Sequence, residues 1–408
     1  MNCAPRHRGD LEDLLREAAP RVLAAVVRRF GDFADSEDAV QEAMIDAARQ
    51  WPVQGTPESP TGWLIAVASR RMTDRIRADS ARRAREEHFA AEPEPGPTTE
   101  ADDTLALIFM CCRPELTPAS AIALTLRAVG GLSTAQIAAA FLVPEKTMGR
   151  RIARAKQTVA EAEEPFGLPG AAERAERLRT VLSVLYLIFN EGYAASEGAD
   201  LARTELSGEA IRLTRIARLA LPEEPEVGGL LALLLLTDAR RPARTDARGE
   251  LVPLDEQDRS LWDAAAIAEG HRIMGEAIAA GAVGPYQLQA AIAAAHDRAP
   301  RAEDTDWGEI LALYGLLEGV APGPMVSLNR AVAAAMADGA QAGLDLLAEV
   351  EPRLQGHHRV HAVRAHLLEL AGDGAGAHAE YVRAAELTAS IPEQRYLTKR
   401  AARLAAAA

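Results

Sequence analysis

Apolar residues recur three and four positions apart along most of the chain, a spacing that predicts helices. Residues 11–30 place Leu14, Leu15, Ala18, Val22 and Val26 on one face, and Gly31 follows as a stop. Residues 36–50 (SEDAVQEAMIDAARQ) put Ala39, Val40, Ala43, Met44 and Ala47 in a buried stripe. Asp38, Gln41, Glu42 and Asp46 are left on the exposed side. A loop with three prolines is expected over 51–60, then a long helix from Thr61 with Trp63, Leu64 and Val67 packed inward. Arg70, Arg71, Arg75, Arg77, Arg82, Arg83 and Arg85 follow, opposed on that helix only by Asp74 and Asp79. Such a run suits phosphate contacts.

The pattern is sharpest over 132–156, LSTAQIAAAFLVPEKTMGRRIARAK. Ser133 and Gln136 have the spacing of a capping box, and Ile137 and Phe141 share a face four apart. Val143 precedes Pro144 and is pushed towards an extended conformation, while Pro144 suits the first turn of a new helix. That second helix carries Met148, Ile152 and Ala155 on one side and Lys146, Thr147, Arg150, Arg151, Arg154 and Lys156 on the other. Two readings stand: an amphipathic helix with a solvated basic face, or a helix-turn-helix whose second helix enters a DNA major groove.

Further along, 178–190 is almost continuously apolar, and 205–221 and 228–238 read as helices. The apolar run 230–236 is too short to span a bilayer. Residues 238–263 (DARRPARTDARGELVPLDEQDRSLWD) form a long irregular piece, a kind of segment that is usually functional or mobile. Residues 337–347 realign with 372–382 at an offset of 35, and Trp307, Ile310, Leu311 and Tyr314 have the opening spacing of a tetratricopeptide unit. Paired-helix repeats stack into a scaffold with a concave face.

Composition agrees with an all-α chain: 408 residues, 48 % hydrophobic but only 4 % aromatic, enough for two or three domains. Charge divides it. Residues 1–160 hold 21 Lys and Arg against 22 Asp and Glu, whereas 161–408 hold 24 against 37, so nearly all of the net −14 belongs to the second part. That part should repel nucleic acid, and DNA work falls to the first. The acid–base contrast also suggests that the arginine-rich 240–248 latches onto the acidic 92–103.

No catalytic constellation emerges: no Gly-rich phosphate loop, no HExxH and no Ser/His/Asp signature, so neither enzyme activity nor a cofactor is expected. His357, His358 and His361 could bind a metal by spacing, but solvated or packed histidines on a repeat helix are the expectation. Cys111–Cys112 read either as a redox pair or as small buried hydrophobes. With Cys3 they make three cysteines and no CxxC, which fits a reducing cytoplasm.

SEDAVQEAM at 36–44 and WLIAVASRRMTDRIR at 63–77 resemble region 2 of bacterial RNA polymerase sigma factors of the extracytoplasmic-function (ECF) type. Asp38, Gln41, Glu42, Trp63, Leu64, Ala68, Asp74 and Arg77 match its motifs, while Met44 replaces the usual Phe and Arg70 the usual Asn. Stretches from LIFMCCRPEL at 107–116 to SLNRAVAAAMADG at 327–339 resemble an ECF subgroup with a tetratricopeptide-like helical C-terminal extension; Arg113 stands where its His is usual. The resemblance implies sigma region 2 at 1–87, an acidic linker at 88–103, region 4 with its helix-turn-helix at 104–162, a helical extension at 163–300 and repeats at 301–408. It implies core RNA polymerase and promoter DNA as partners, and the repeats offer a face to a protein or small-molecule regulator. Asp38, Gln41, Glu42 and Asp46 would meet polymerase. Trp63, Arg70, Arg71, Asp74, Arg75 and Arg77 would bind the −10 element, and Lys146, Thr147, Arg150, Arg151 and Arg154 the −35 element. A helix-turn-helix regulator with a helical effector domain is the alternative.

Overall fold

The computed structural model describes residues 8–86, 103–162, 166–281 and 283–407; the expected linker at 88–103 lies outside them except for Asp103. Among the described residues there is no strand, only helices and two isolated bridges. They form two compact units, 1–187 and 188–408.

The first unit opens with α1 (Arg8–Phe30), α2 (Phe33–Gln54) and α3 (Pro60–Glu86), each packed on the other two. Leu15, Ala18, Val22 and Val26 are buried as their spacing predicts, and Gly31 takes the left-handed conformation that ends α1 (φ 76°). Asp32 caps α2 by accepting from the Asp35 amide at 2.8 Å, so that helix begins before Ser36. It also runs through Trp51 and Pro52 to Gln54, where a loop was expected. Burial of Trp51, edge-on to Trp63 at 5.4 Å, repays the hydrogen bond lost at Pro52, and Gly55 (φ 89°) makes the stop. In α3 the buried stripe is Leu64, Ala68 and Met72, four apart, and Val67 lies at its edge.

Then come α4 (Thr104–Cys111), α5 (Pro118–Ala128), α6 (Thr134–Ala140) and α7 (Glu145–Glu161). The capping box forms as predicted: the Ser133 amide donates to Gln136 Oε1 at 2.8 Å and the Gln136 amide to Ser133 Oγ at 3.1 Å. Met148, Ile152, Ala155 and Val159 are the buried side of α7. Cys111 and Cys112 are wholly buried, and Cys112 Sγ lies 3.6 Å from Thr125 Oγ1. Burial pushes both thiols up, Cys112 to about 12, which keeps them protonated and inert as small core residues.

The apolar run at 230–236 is the centre of the second unit. It lies in α10 (Pro225–Asp238), which packs on α9 (Thr204–Ala220), α11 (Ala264–Ala279) and α12 (Pro285–Arg298); α8 (Ala171–Tyr193) precedes them. Among the described residues no helix is long and apolar enough to cross a membrane. From α13 (Trp307–Val320) the chain is a series of helices each packed on the next: α14 (Pro324–Asp338), α15 (Ala340–Val350), α16 (His358–Leu370), α17 (Gly374–Leu387) and α18 (Ile391–Ala407). The 35-residue offset pairs Asp338–Gly339, between α14 and α15, with Asp373–Gly374, between α16 and α17. Gly343 lets α14 and α15 close together, since a Cβ there would stand 2.7 Å from the Ala331 carbonyl oxygen. His358 and His361 face Glu393 and Glu380 at 3.1 and 2.7 Å, and no set of three metal-ligating side chains occurs among the described residues.

The irregular segment 238–263 is held by buried arginines. Arg240 Nε meets Asp297 at 2.8 Å and its NH2 donates to the Ala293 carbonyl at 2.6 Å. Arg244 lies 3.8 Å over the Tyr193 ring, and Arg259 and Arg240 stack on Trp262. Arg240 and Arg244 are therefore enclosed within the second unit, while Arg241 and Arg248 are exposed; the acidic stretch expected to receive them lies, except for Asp103, outside the described residues. Burial, with Arg240 and Arg259 nearby, lowers the His296 pKa to about 3. The unfolded imidazole takes a proton below about pH 6.5 while the folded one does not, so stability falls as pH drops from 6.5 towards 3. Between pH 7 and 5 this group should cost about 2 kcal/mol. Urea titrations of wild type and His296→Gln at both pH values should differ by that amount; an equal loss in both would refute the assignment.

Candidate nucleic-acid interface

Four acidic or amide positions on α2 are predicted to face polymerase, and the structure divides them. Asp38 is exposed, its side chain 58 % accessible. Glu42 and Asp46 turn instead towards α3, where Arg71 donates to both carboxylates. Arg75 adds a bond to Glu42 Oε1 at 2.8 Å and another to the Asp35 carbonyl at 3.2 Å. Gln41 is half-buried. The outward stripe of α2 is accordingly Asp38, Gln41 and Ile45, three and four apart, with Ile45 49 % exposed. Ile45 was missed because an isolated apolar residue off the main stripe carries no periodic signal.

The same ion pairs change the basic surface of α3. Arg71 and Arg75 are half-buried and neutralised from α2, against the expectation that only Asp74 and Asp79 oppose the arginine run. Their counter-charges lie about thirty residues away, and no reading of α3 alone reveals them. Arg70, Asp74 and Arg77 are exposed, and Trp63 is half-buried against Trp51. The side chains of Arg82, Arg83 and Arg85 lie outside the described residues.

On α7 the predicted reading face is intact. Lys146, Thr147, Arg150 and Arg154 are exposed and Arg151 is half-buried, opposite the apolar stripe. The turn into this helix passes through Leu142 in the left-handed region (φ 48°). Residues on the first turns of such a helix are the ones that reach base edges in a major groove.

One residue at this end of the unit escaped the sequence reading. Glu37 is 1 % exposed, forms an ion pair with Arg127 of α5, whose Nε lies 2.9 Å from Oε1, and pairs with Lys156 of α7. Lys156 also lies 3.2 Å from Asp38 Oδ1. The signal was present: Glu37 stands three before Val40 and seven before Met44, at the edge of the apolar stripe, where a charge needs a partner. α7 thus packs on α2, and α4 and α5 on α1.

Residues 14–82 match the family described as Sigma-70 region 2, residues 106–159 match Sigma-70, region 4, and residues 177–278 match a family of unknown function (DUF6596). An uncharacterized protein of Rhizobium meliloti is 42 % identical over 410 residues, covering 98 % of this chain and 96 % of its own. The probable ECF RNA polymerase sigma factor SigI of Mycobacterium tuberculosis is 31 % identical over 33 % of this chain and 49 % of its own. The ECF RNA polymerase sigma factor SigK of Mycobacterium ulcerans is 29 % identical over 34 % of this chain and 84 % of its own. Among solved structures, yeast Tom70 superposes with a TM-score of 0.38 at 12 % identity, covering 98 % of this chain and 86 % of that one.

Proposed function

Since the chain belongs to the ECF sigma factors of bacterial RNA polymerase, with regions 2 and 4 and an additional C-terminal helical domain, we propose that it binds core polymerase in the cytoplasm, directs it to promoters and is modulated by that domain. The observation that carries this reading is the pairing of two surfaces in one unit: an outward α2 stripe of Asp38, Gln41 and Ile45, and an exposed basic reading face on α7. A simple repressor needs the second but not the first.

In this reading Asp38, Gln41 and Ile45 contact polymerase, while Glu42 and Asp46 act indirectly by fixing α3. Trp63, Arg70, Asp74 and Arg77 meet the −10 element; Arg71 and Arg75 set the pose of α3 against α2. Opening that element requires a base to leave its stack, which contacts to the separated strand can offset. Lys146, Thr147, Arg150, Arg151 and Arg154 read the −35 element, phosphate contacts setting register and one or two side chains setting sequence. The helix array from α13 to α18 is the proposed seat of a protein or small-molecule regulator.

Run-off transcription with purified core polymerase on genomic fragments tests the reading: promoter-specific transcripts are expected, and none on any fragment would reject it. On a promoter so found, Arg150→Ala should lose about 1–3 kcal/mol of discrimination between the native and altered −35 base if it reads that base. A uniform loss with a shallower salt dependence would reassign Arg150 to phosphate.

A further inference from the structure

We infer that the second unit holds an anion site: the cavity between α18 and residues 246–256 binds a phosphate group, either the free ion or one carried by a small molecule. Its use as the seat of a regulator rests on the sigma-factor reading; the site itself stands on the geometry of this unit alone.

Both walls of the cavity are fixed. At the start of α18 the Ile391 amide donates to the Gly198 carbonyl at 3.0 Å, and the Gly198 amide donates to the Ala389 carbonyl at 3.3 Å. Residues 246–256 form a flap rooted at both ends, by the buried Arg244 on Tyr193 and by Arg259 on Trp262. Its turn is shaped by Asp246, whose carboxylate accepts from the amides of Arg248 and Glu250 at 2.8 and 2.9 Å. Between flap and helix lies a cavity of about 60 Å³, room for several waters or for one phosphate group.

The charge around it is one-sided. Tyr396, Lys399, Arg400 and Arg403 lie on one face of α18 at the spacing i, i+3, i+4, i+7, and Arg395 lines the cavity beside them. Residues 394–407 hold no acidic residue, in a part of the chain where Asp and Glu otherwise prevail. Two of these cations are matched: Lys399 meets Glu250 at 3.0 Å, and Arg400 meets Glu369 at 2.7 Å and Glu256 at 3.4 Å. Arg395 and Arg403 pair with no carboxylate among the described residues. Two unmatched guanidiniums at one small cavity call for two negative charges on a single group. A phosphate monoester supplies them, with about −1.5 to −2 charges at pH 7 and oxygens that suit the guanidinium fork. A monocarboxylate leaves one arginine unmatched, and two carboxylates need more room than the cavity gives. Glu250 is a competitor already in place. Its side chain is 40 % exposed, so it can turn to water and yield Lys399 to the ligand at little cost.

Isothermal titration of the full-length chain at constant ionic strength reads the site, with inorganic phosphate and ribose 5-phosphate as ligands and acetate as the control. Saturable phosphate binding is expected, and acetate should give none. Tighter binding of ribose 5-phosphate identifies an ester as the ligand; tighter binding of inorganic phosphate identifies the free ion. Arg403→Gln and Arg395→Gln should each weaken binding by about 10- to 100-fold, the loss of a charge-assisted contact. Arg383→Gln, at an exposed arginine of α17 outside the cavity, should leave it unchanged. Glu250→Gln should tighten binding severalfold because it frees Lys399, a gain that a misfolded protein cannot give. Absence of saturation at millimolar phosphate overturns the inference. So does acetate that binds as well as phosphate, or full affinity in the Arg395 and Arg403 variants. No polymerase enters the measurement, so a failure here leaves the sigma-factor reading intact, and a failed transcription assay leaves the anion site intact.

Discussion

Asp38→Lys combined with Ile45→Lys is expected to lose core polymerase by a factor of about a hundred or more, without loss of helix content. Both side chains are exposed on the outward stripe of α2, so neither substitution disturbs the bundle. In a desolvated contact, losing one charge partner typically costs about 2–5 kcal/mol, and a lysine in an apolar contact adds to it. The obvious alternative, reversal at Glu42, would mislead. Lysine there would stand beside Arg71 and Arg75 and break the ion pairs joining α2 to α3, so lost binding would report a damaged region 2. Co-purification from a cell extract and titration against purified polymerase both read the effect. Wild-type affinity in the double variant would move the docking surface off α2.

The second large effect concerns the C-terminal unit. Asp297→Ala should destabilise it by about 3–5 kcal/mol, the usual result of leaving a buried charge without its partner. The Asp297 side chain is fully enclosed and faces Arg240, itself buried and stacked on Trp262. Hydrogen exchange of amides in α10 and α12 isolates this unit from the other, and protection there should fall by about two to four orders of magnitude, on the order of that energy. Replacing both partners by apolar residues, Asp297→Leu with Arg240→Met, should recover most of the loss, because no unpaired charge then remains. If Asp297→Ala leaves protection unchanged, segment 238–263 is not held by this pair.

The sequence by itself determined the helices, where most of them stop and which side of each is apolar. Local rules suffice for that: Ser133 and Gln136 sit three apart, Gly31 follows a completed stripe, and the 35-residue offset lands on matching joints. It also displayed the family motifs in regions 2 and 4 and the basic face of α7, all of them short-range patterns. Only the tertiary structure decided which charges remain available. Periodicity reports where a side chain lies around its own helix; it says nothing about the group brought opposite from elsewhere. Arg71 and Arg75 read as DNA ligands until Glu42 and Asp46 are placed beside them. Arg240 and Arg244 read as a free basic loop until Asp297 and the Tyr193 ring enclose them. Trp51 seemed to belong to a proline-rich loop until Trp63 packed against it, which carried α2 past Pro52. Glu37 shows the reason most plainly: its partners are 90 and 119 residues away, and coulombic attraction is set by distance in space, which only the folded chain specifies.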